Sequence, residues 1–320
     1  QNLIDLIWKG KAKHLTKAFF KLTKKEAGKT TFEKLRQVKR ILVSNDTDYL
    51  FVTAPENIAW ILNIRGQDSS YSPIPNSRLL IDKNGKMDLF ANIKKIKKIK
   101  KNIKKIITLH DEKNINDLLK YIYTKKIWID SSTCSIYFKN LLIKNNVVIE
   151  KIDPIYFLKS IKNKTEINNM INSHIFDGVA LTRFLYWIKN INKKKITEFD
   201  AQKKLEIFRK KNKNYLFPSF NTIAGTGSNG AIIHYRAEKN NTKYIDKKDI
   251  FLCDSGGQYE YGTTDVTRTI CFTKPKQNIK SIFTKVLKSH IAVTTADINK
   301  NFNGALIDKL ARKNLKLKGL

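Results

Sequence analysis

DSGGQYEYGTTDVTRT, running from Asp254 to Thr269, places two carboxylates on neighbouring strands of one hairpin. Asp254 follows the apolar run Ile250-Phe251-Leu252-Cys253, a buried-strand pattern, and glycines at 256, 257 and 262 mark where the chain turns back into Val266–Ile270. The pattern predicts that Asp254 and Asp265 face each other across that hairpin. In a low-dielectric setting two such carboxylates repel and resist ionisation unless a cation compensates them. Their hard oxygens suit Mg, Ca or Mn, and metals paired roughly 3.5–4 Å apart are a known hydrolytic arrangement. The pair therefore reads as part of a dinuclear hydrolase site, with an Asp-Gly turn carrying solvated carboxylates as the alternative.

Upstream, FPSFNTIAGTGSNGAIIHYRAE (Phe217 to Glu238) supplies a glycine-rich loop followed by Ile232-Ile233-His234-Tyr235. The loop lacks the Lys-Ser/Thr ending of a P-loop and the strand-to-helix spacing of a dinucleotide fingerprint, so it is no phosphate cradle. The apolar run predicts a strand carrying His234. Such a histidine is either a satisfied core residue or a member of the site, and the two aspartates nearby favour the second. Beyond Asp265 the only histidine is His290, which falls in a helical apolar pattern with Ile282, Val286, Leu287 and Val293 and reads as packing. Two carboxylates cannot fill the coordination spheres of two metal ions.

Together, SFNTIAGTGSNGAIIHY and DSGGQYEYGTTDVTRT resemble aminopeptidase P, the Xaa-Pro aminopeptidases of the creatinase and methionine aminopeptidase ("pita-bread") superfamily, in their long three-domain form. The likeness continues in Pro55–Asp82, similar to the middle domain, and in Asp153–Ile188, similar to the opening of the catalytic domain. It implies that Asp254 is a metal-binding aspartate, that Asp265 bridges two metals, and that His234 hydrogen-bonds the substrate and steadies the tetrahedral intermediate. It further implies two divalent ions, Mn2+ by preference, whose hydroxide cleaves the N-terminal Xaa-Pro bond. Peptides with proline second are then the substrates, and the protein is a cytoplasmic homodimer. The family completes its site with a histidine in a His-Gly-Thr-Gly-His-Gly segment and two glutamates, all beyond the helix that Ser281–Ala296 resembles. The sequence ends at Leu320 without them and starts at Gln1, so it reads as a fragment. Two alternatives stay open: a non-catalytic pita-bread binding module or degenerate enzyme, and a prolidase-type dipeptidase.

The organisation is α/β. Residues 1–30 read as the tail of a preceding domain and a linker. Residues 31–153 read as a creatinase-like domain: a helix over Phe32–Leu42, a strand at Tyr49–Thr53, a helix from Pro55, a hairpin turning at Asn84-Gly85, then strands at 106–109, 127–129 and 147–152. Asp153-Pro154 marks the boundary, and 154–320 reads as the first half of a pita-bread domain. Thr165 is the expected N-cap of a long helix with Ile167, Met170, Ile171, Ile175, Leu181 and Leu185 inward and with His174 and Trp187 as packing residues.

The formal net charge of +34 invites a nucleic-acid reading, but 53 Lys stand against 9 Arg, whereas bidentate phosphate and guanine recognition leans on Arg. Lysine is spread beside many Asn and Ile, the residues of A/T-rich codons, and no nucleic-acid partner is expected. The densest cluster, Ile93–Ile107, reads as a surface helix with Ile96, Ile99, Ile103 and Ile106 on a narrow apolar face. No run approaches the roughly 18–20 apolar residues of a membrane span. Cys134, Cys253 and Cys271 lack metal-ligand spacing and read as reduced core residues.

Overall fold

Strict alternation of side chains builds the central sheet. Along β1 (Tyr49–Val52), β2 (Ser77–Asp82) and β3 (Met87–Ala91), the residues Leu50, Val52, Leu79, Ile81, Leu89 and Ala91 enter one core, while Phe51, Leu80 and Phe90 enter the other. With β4 (Ile107–Asp111), β5 (Lys126–Ile129) and β6 (Val147–Glu150), the strand order is β4-β3-β2-β1-β5-β6. The pairs β1/β2 and β2/β3 are antiparallel, and the remaining three are parallel. Helices α1 (Thr31–Ser44) and α2 (Pro55–Leu62) cover the first face; α3 (Ile115–Lys120) and α4 (Ile136–Ile143) cover the second. The computed structural model describes residues 3–8, 10, 17–97, 99, 107–191, 196–297 and 303–315.

The chain divides into two units. One comprises Gln1–Asn190, Asp200–Ile223 and Asp254–Thr267, and contains the six-stranded sheet; the other comprises Ile191–Phe199, Ala224–Cys253 and Arg268–Leu320. Further helices are α5 (Pro154–Ser160), α6 (Lys164–Asn190), α7 (Glu198–Arg209), α8 (Gln277–Thr294) and α9 (Gly304–Lys313), beside short ones at Leu3–Ile7, Lys24–Ala27 and Ile93–Ile96. Besides a two-stranded pair, Phe20–Lys21 with Ile64–Arg65, the further strands are β7 (Tyr215–Pro218), β8 (Ile223–Thr226), β9 (Ile250–Ser255), β10 (Gly257–Tyr259), β11 (Gly262–Thr263) and β12 (Val266–Cys271). Strands β7 to β12 form two three-stranded sheets, ordered β8-β9-β12 and β11-β10-β7. The hairpin expected at Asn84-Gly85 is present, with Gly85 at φ 96°, a conformation glycine takes at no steric cost.

Three expectations are corrected. Asn163, not Thr165, caps α6: its Oδ1 accepts from Glu166 N at 3.0 Å while Glu166 Oε2 accepts from Asn163 N at 2.8 Å. Thr165 has no acidic residue three positions on to close such a box, whereas Asn163 does. The buried stripe of α6 is Ser173, Asp177, Ala180, Leu181, Phe184 and Ile188, leaving Ile167, Met170, Ile171 and Ile175 exposed. Small residues let that stripe approach closely, since a Cβ on Gly262 would meet Ser173 Oγ at 2.4 Å. His174 and His290 are exposed rather than packed, the former tied to Met170 O through Nδ1. In the lysine cluster, Ile96 and Ile99 are buried as expected, and Ile103 and Ile106 lie outside the described residues.

Two lysines are buried among the described residues. Lys34, 1% exposed, donates to Trp60 O at 2.8 Å and Asn63 Oδ1 at 2.6 Å, and sits 4.2 Å above the Trp60 ring. Burial pulls its ammonium down to about 7. Lys95 pairs with Asp68 at 2.6 Å.

Asp153 caps α5 by accepting from Ile155 N at 2.8 Å, and its other oxygen accepts from Asn57 Nδ2 at 2.7 Å. Burial raises its carboxyl to about 6 in spite of these bonds. A folded-state value above the unfolded one means that the native protein holds this proton more tightly. The associated stability is present at low pH and declines as pH rises from about 4 through 6. Asp153→Asn should remove that decline. Its new NH2 has an acceptor ready once the Asn57 amide turns over, because Asn57 Oδ1 is buried without a partner. Urea titrations at pH 4 and pH 7 should show a wild-type loss of up to about 3 kcal/mol that the variant lacks.

Candidate metal centre

Asp254 is the penultimate residue of β9, and Asp265 directly precedes β12, the strand beside it in the sheet. Between them the chain makes the smaller β10/β11 hairpin. The segments next to the two aspartates are locked together: Gly257 N donates to Thr264 Oγ1 at 2.9 Å, Thr264 N to Gly257 O at 2.9 Å, and Ser219 Oγ to Thr264 O at 2.8 Å. Gly256 is required here, since a Cβ would stand 2.0 Å from Thr264 O and 2.2 Å from Ser219 Oγ.

The electrostatics of the pair carry a deficit. Asp254 Oδ1 is buried and has no hydrogen-bond partner. The Asp265 carboxyl is raised by the burial it does experience and by the charge of Asp254. An orphaned carboxylate oxygen beside a second carboxylate is the donor set a hard divalent cation satisfies, so the two residues fit a metal as part of a larger set. Among the described residues no group of three or more His, Cys, Asp or Glu side chains is placed to hold a metal ion.

Behind β9 lies a buried ionic network absent from the sequence-based expectations. Arg209, the last residue of α7, donates from Nε to Asp177 Oδ1 at 2.6 Å and from Nη2 to Asp177 Oδ2 at 3.1 Å. The same Nη2 reaches Ser255 Oγ at 3.0 Å, one residue after Asp254. Tyr259 OH completes the set by donating to Asp177 Oδ1 at 2.9 Å. Burial, then the Asp177 charge, push the Tyr259 phenol up. The only signal for this network in the sequence is an acid inside the apolar pattern of α6.

His234 lies in the other unit, and the strand expected for it is absent. Ile232–His234 form a turn after the 3-10 segment Gly227–Ala231, with His234 left-handed at φ 56° and exposed. Glycine packing causes the difference: a Cβ on Gly225 would stand 2.8 Å from Gly230 N and Cα, so the loop folds on itself instead of extending. A wholly buried carboxylate, Glu198, lies under this loop. It accepts from Thr226 N at 2.8 Å, Asn229 Nδ2 at 3.1 Å, Tyr235 OH at 2.7 Å and Lys243 N at 3.0 Å. Burial and the bond to Glu198 push the Tyr235 phenol up to about 12. Glu198 was not singled out from sequence, where it reads as an ordinary acid in a helix's first turn.

Comparison with known proteins places this arrangement. Residues 11–166 match the creatinase/prolidase N-terminal domain, and residues 168–320 match metallopeptidase family M24. The chain thus carries a creatinase-like α/β domain followed by a domain that matches metallopeptidase family M24. Its relatives there are Xaa-Pro aminopeptidases. ApepP of Drosophila melanogaster is 36% identical over 98% of this chain and 52% of its own length, and Xaa-Pro aminopeptidase 1 of Dictyostelium discoideum is 36% identical over 95% and 49%. The chain thus spans about half the length of these relatives. X-prolyl aminopeptidase of Caenorhabditis elegans, described as a cytosolic enzyme with a di-nuclear active site, superposes with a TM-score of 0.89 at 26% identity, covering 98% of this chain and 53% of that one. The prolidase of Pyrococcus horikoshii shares the fold, with a TM-score of 0.68 at 23% identity over 88% of this chain and 77% of its own. No helix among the described residues is long and apolar enough to cross a membrane.

Proposed function

We propose that this chain forms part of a dinuclear Xaa-Pro aminopeptidase, removing the N-terminal residue from peptides whose second residue is proline. The observation that carries the reading is the buried, unpartnered Asp254 Oδ1 beside a second carboxylate whose protonation it favours. Asp254 and Asp265 would hold two divalent ions, Mn2+ by preference, with further ligands that the described residues do not supply. When bound, the metal pair supplies an activated water and charge stabilisation for the developing oxyanion. His234 contributes a ring N–H, donated to the scissile carbonyl oxygen as it gains charge. Its exposed ring makes no hydrogen bond among the described residues and is available for that task.

The selectivity follows from the bond itself. An Xaa-Pro amide has no N–H, so a site that demanded that donor would reject it, and its cis/trans equilibrium adds a conformational filter. In this reading the working protein is a cytosolic homodimer. The test compares an Xaa-Pro-Xaa tripeptide, its Xaa-Ala-Xaa analogue and an Xaa-Pro dipeptide in Mn2+ and in chelator, using the full-length protein. Metal-dependent cleavage of the first alone is expected. Preference for the dipeptide would turn the assignment to a prolidase, and cleavage of none would remove the catalytic reading.

A further inference from the structure

We infer that Glu198 is the positioning residue for His234, holding the turn that presents its ring to substrate; this rests on the substrate-binding reading of His234. A carboxylate with no exposed surface needs either a cation or a full set of donors. The side-chain partners of Glu198 among the described residues are donors, and all come from one stretch of chain. They are the loop's entry (Thr226 N), its middle (Asn229 Nδ2), the residue after His234 (Tyr235 OH) and the return segment (Lys243 N). The backbone of Glu198 joins the same segment, its N–H donating to Lys243 O at 3.0 Å.

The turn itself is weakly self-supported. Its backbone bonds are Ile232 N to Asn229 O and Tyr235 N to Ile232 O, each at 3.2 Å. His234 nevertheless occupies a left-handed conformation that a non-glycine residue leaves unless its surroundings hold it. The Tyr235 hydroxyl, clamped by both Glu198 and Asn229 Nδ2 at 2.9 Å, is the adjacent anchor. Among the described residues the ring of His234 has no bond of its own to fix it, so its direction is inherited from this backbone. Glu198 thereby acts on the reacting carbonyl without touching it.

The test is a cycle of Glu198→Gln, Tyr235→Phe and His234→Ala in the metal-loaded full-length protein, assayed with a tripeptide carrying proline second. Glu198→Gln places an NH2 among groups that donate and releases the tether. Its kcat should fall about 10- to 100-fold, the scale of a misplaced catalytic group, with KM and metal content within about twofold of wild type. Tyr235→Phe keeps the carboxylate, should fall in the same direction, and serves if Glu198→Gln fails to fold. In the His234→Ala background either substitution should change kcat by less than about twofold. In the metal-free protein, both variants should shift the His234 ring resonances. An unchanged kcat, or an equal loss with and without His234, would overturn the positioning role. A His234→Ala protein of full activity would instead overturn the reading of His234, and the proposal with it.

Discussion

Asp265→Asn should reduce peptide cleavage to background and weaken divalent-metal binding at least about 100-fold, more than the 10- to 100-fold typical of losing a residue behind the ligands. The substitution keeps shape and removes charge. In the native pair the charge of Asp254 helps raise the Asp265 carboxyl, so the metal-free fold carries a like-charge repulsion that a cation relieves. Two opposite effects follow. The variant without metal should unfold at a slightly higher temperature than metal-free wild type, and it should lose the further rise that mass action predicts for wild type if it binds Mn2+ as proposed. Calorimetric titration with Mn2+ and thermal scans with and without the ion report both. A variant that binds two ions and cleaves normally would dismiss the metal-ligand role of Asp265.

Asp177→Asn should cost about 3–5 kcal/mol of stability, because it strands Arg209 in a closed interior. The two side chains are 1% and 2% exposed, so solvent cannot take over the lost partner. One guanidinium nitrogen, Nη1, is already buried without an acceptor. Ser255 and Tyr259 would both lose the orientation that the pair imposes on them. Removing both charges as Asp177→Leu with Arg209→Met should restore much of the loss, since an apolar pair leaves no uncompensated charge. Denaturant midpoints for the two single variants and the double variant close this cycle. A double variant no better than the worse single would show that packing, not charge pairing, dominates. Raising salt should leave the wild-type contribution nearly unchanged, as expected for a pair out of reach of counterions.

How much of this was legible in sequence depends on where apolar periodicity and burial coincide. They coincide in the central sheet, where Leu79, Leu80 and Ile81 alternate between two covered faces, and the strands there fall within a residue or two of their expected positions. They part company in α6. Its buried stripe contains Ser173 and Asp177, so a search for apolar spacing finds Leu181 but otherwise selects Ile167, Met170, Ile171 and Ile175, which are exposed. They part again at Ile232–Ile233, which has a strand's composition but follows a glycine loop folded on itself, leaving Ile233 87% exposed. Asp254 and Asp265 stand out in the sequence because their type and glycine spacing carry chemistry. Arg209, bonded to the neighbour of Asp254, and Glu198, under the His234 turn, gain their meaning only from partners 32 and 37 positions away. No local pattern encodes such distances.

The buried amine of Lys34 gives the basic composition an unplanned use. Most of the described lysines are exposed and meet an acylating reagent directly, but Lys34 is enclosed by Trp60 and Asn63. Its ammonium, already lowered to about 7, becomes a target only while its surroundings are open. The rate at which Lys34 acquires label therefore times the breathing of the first α/β layer, with the exposed lysines as an internal standard on the same molecule.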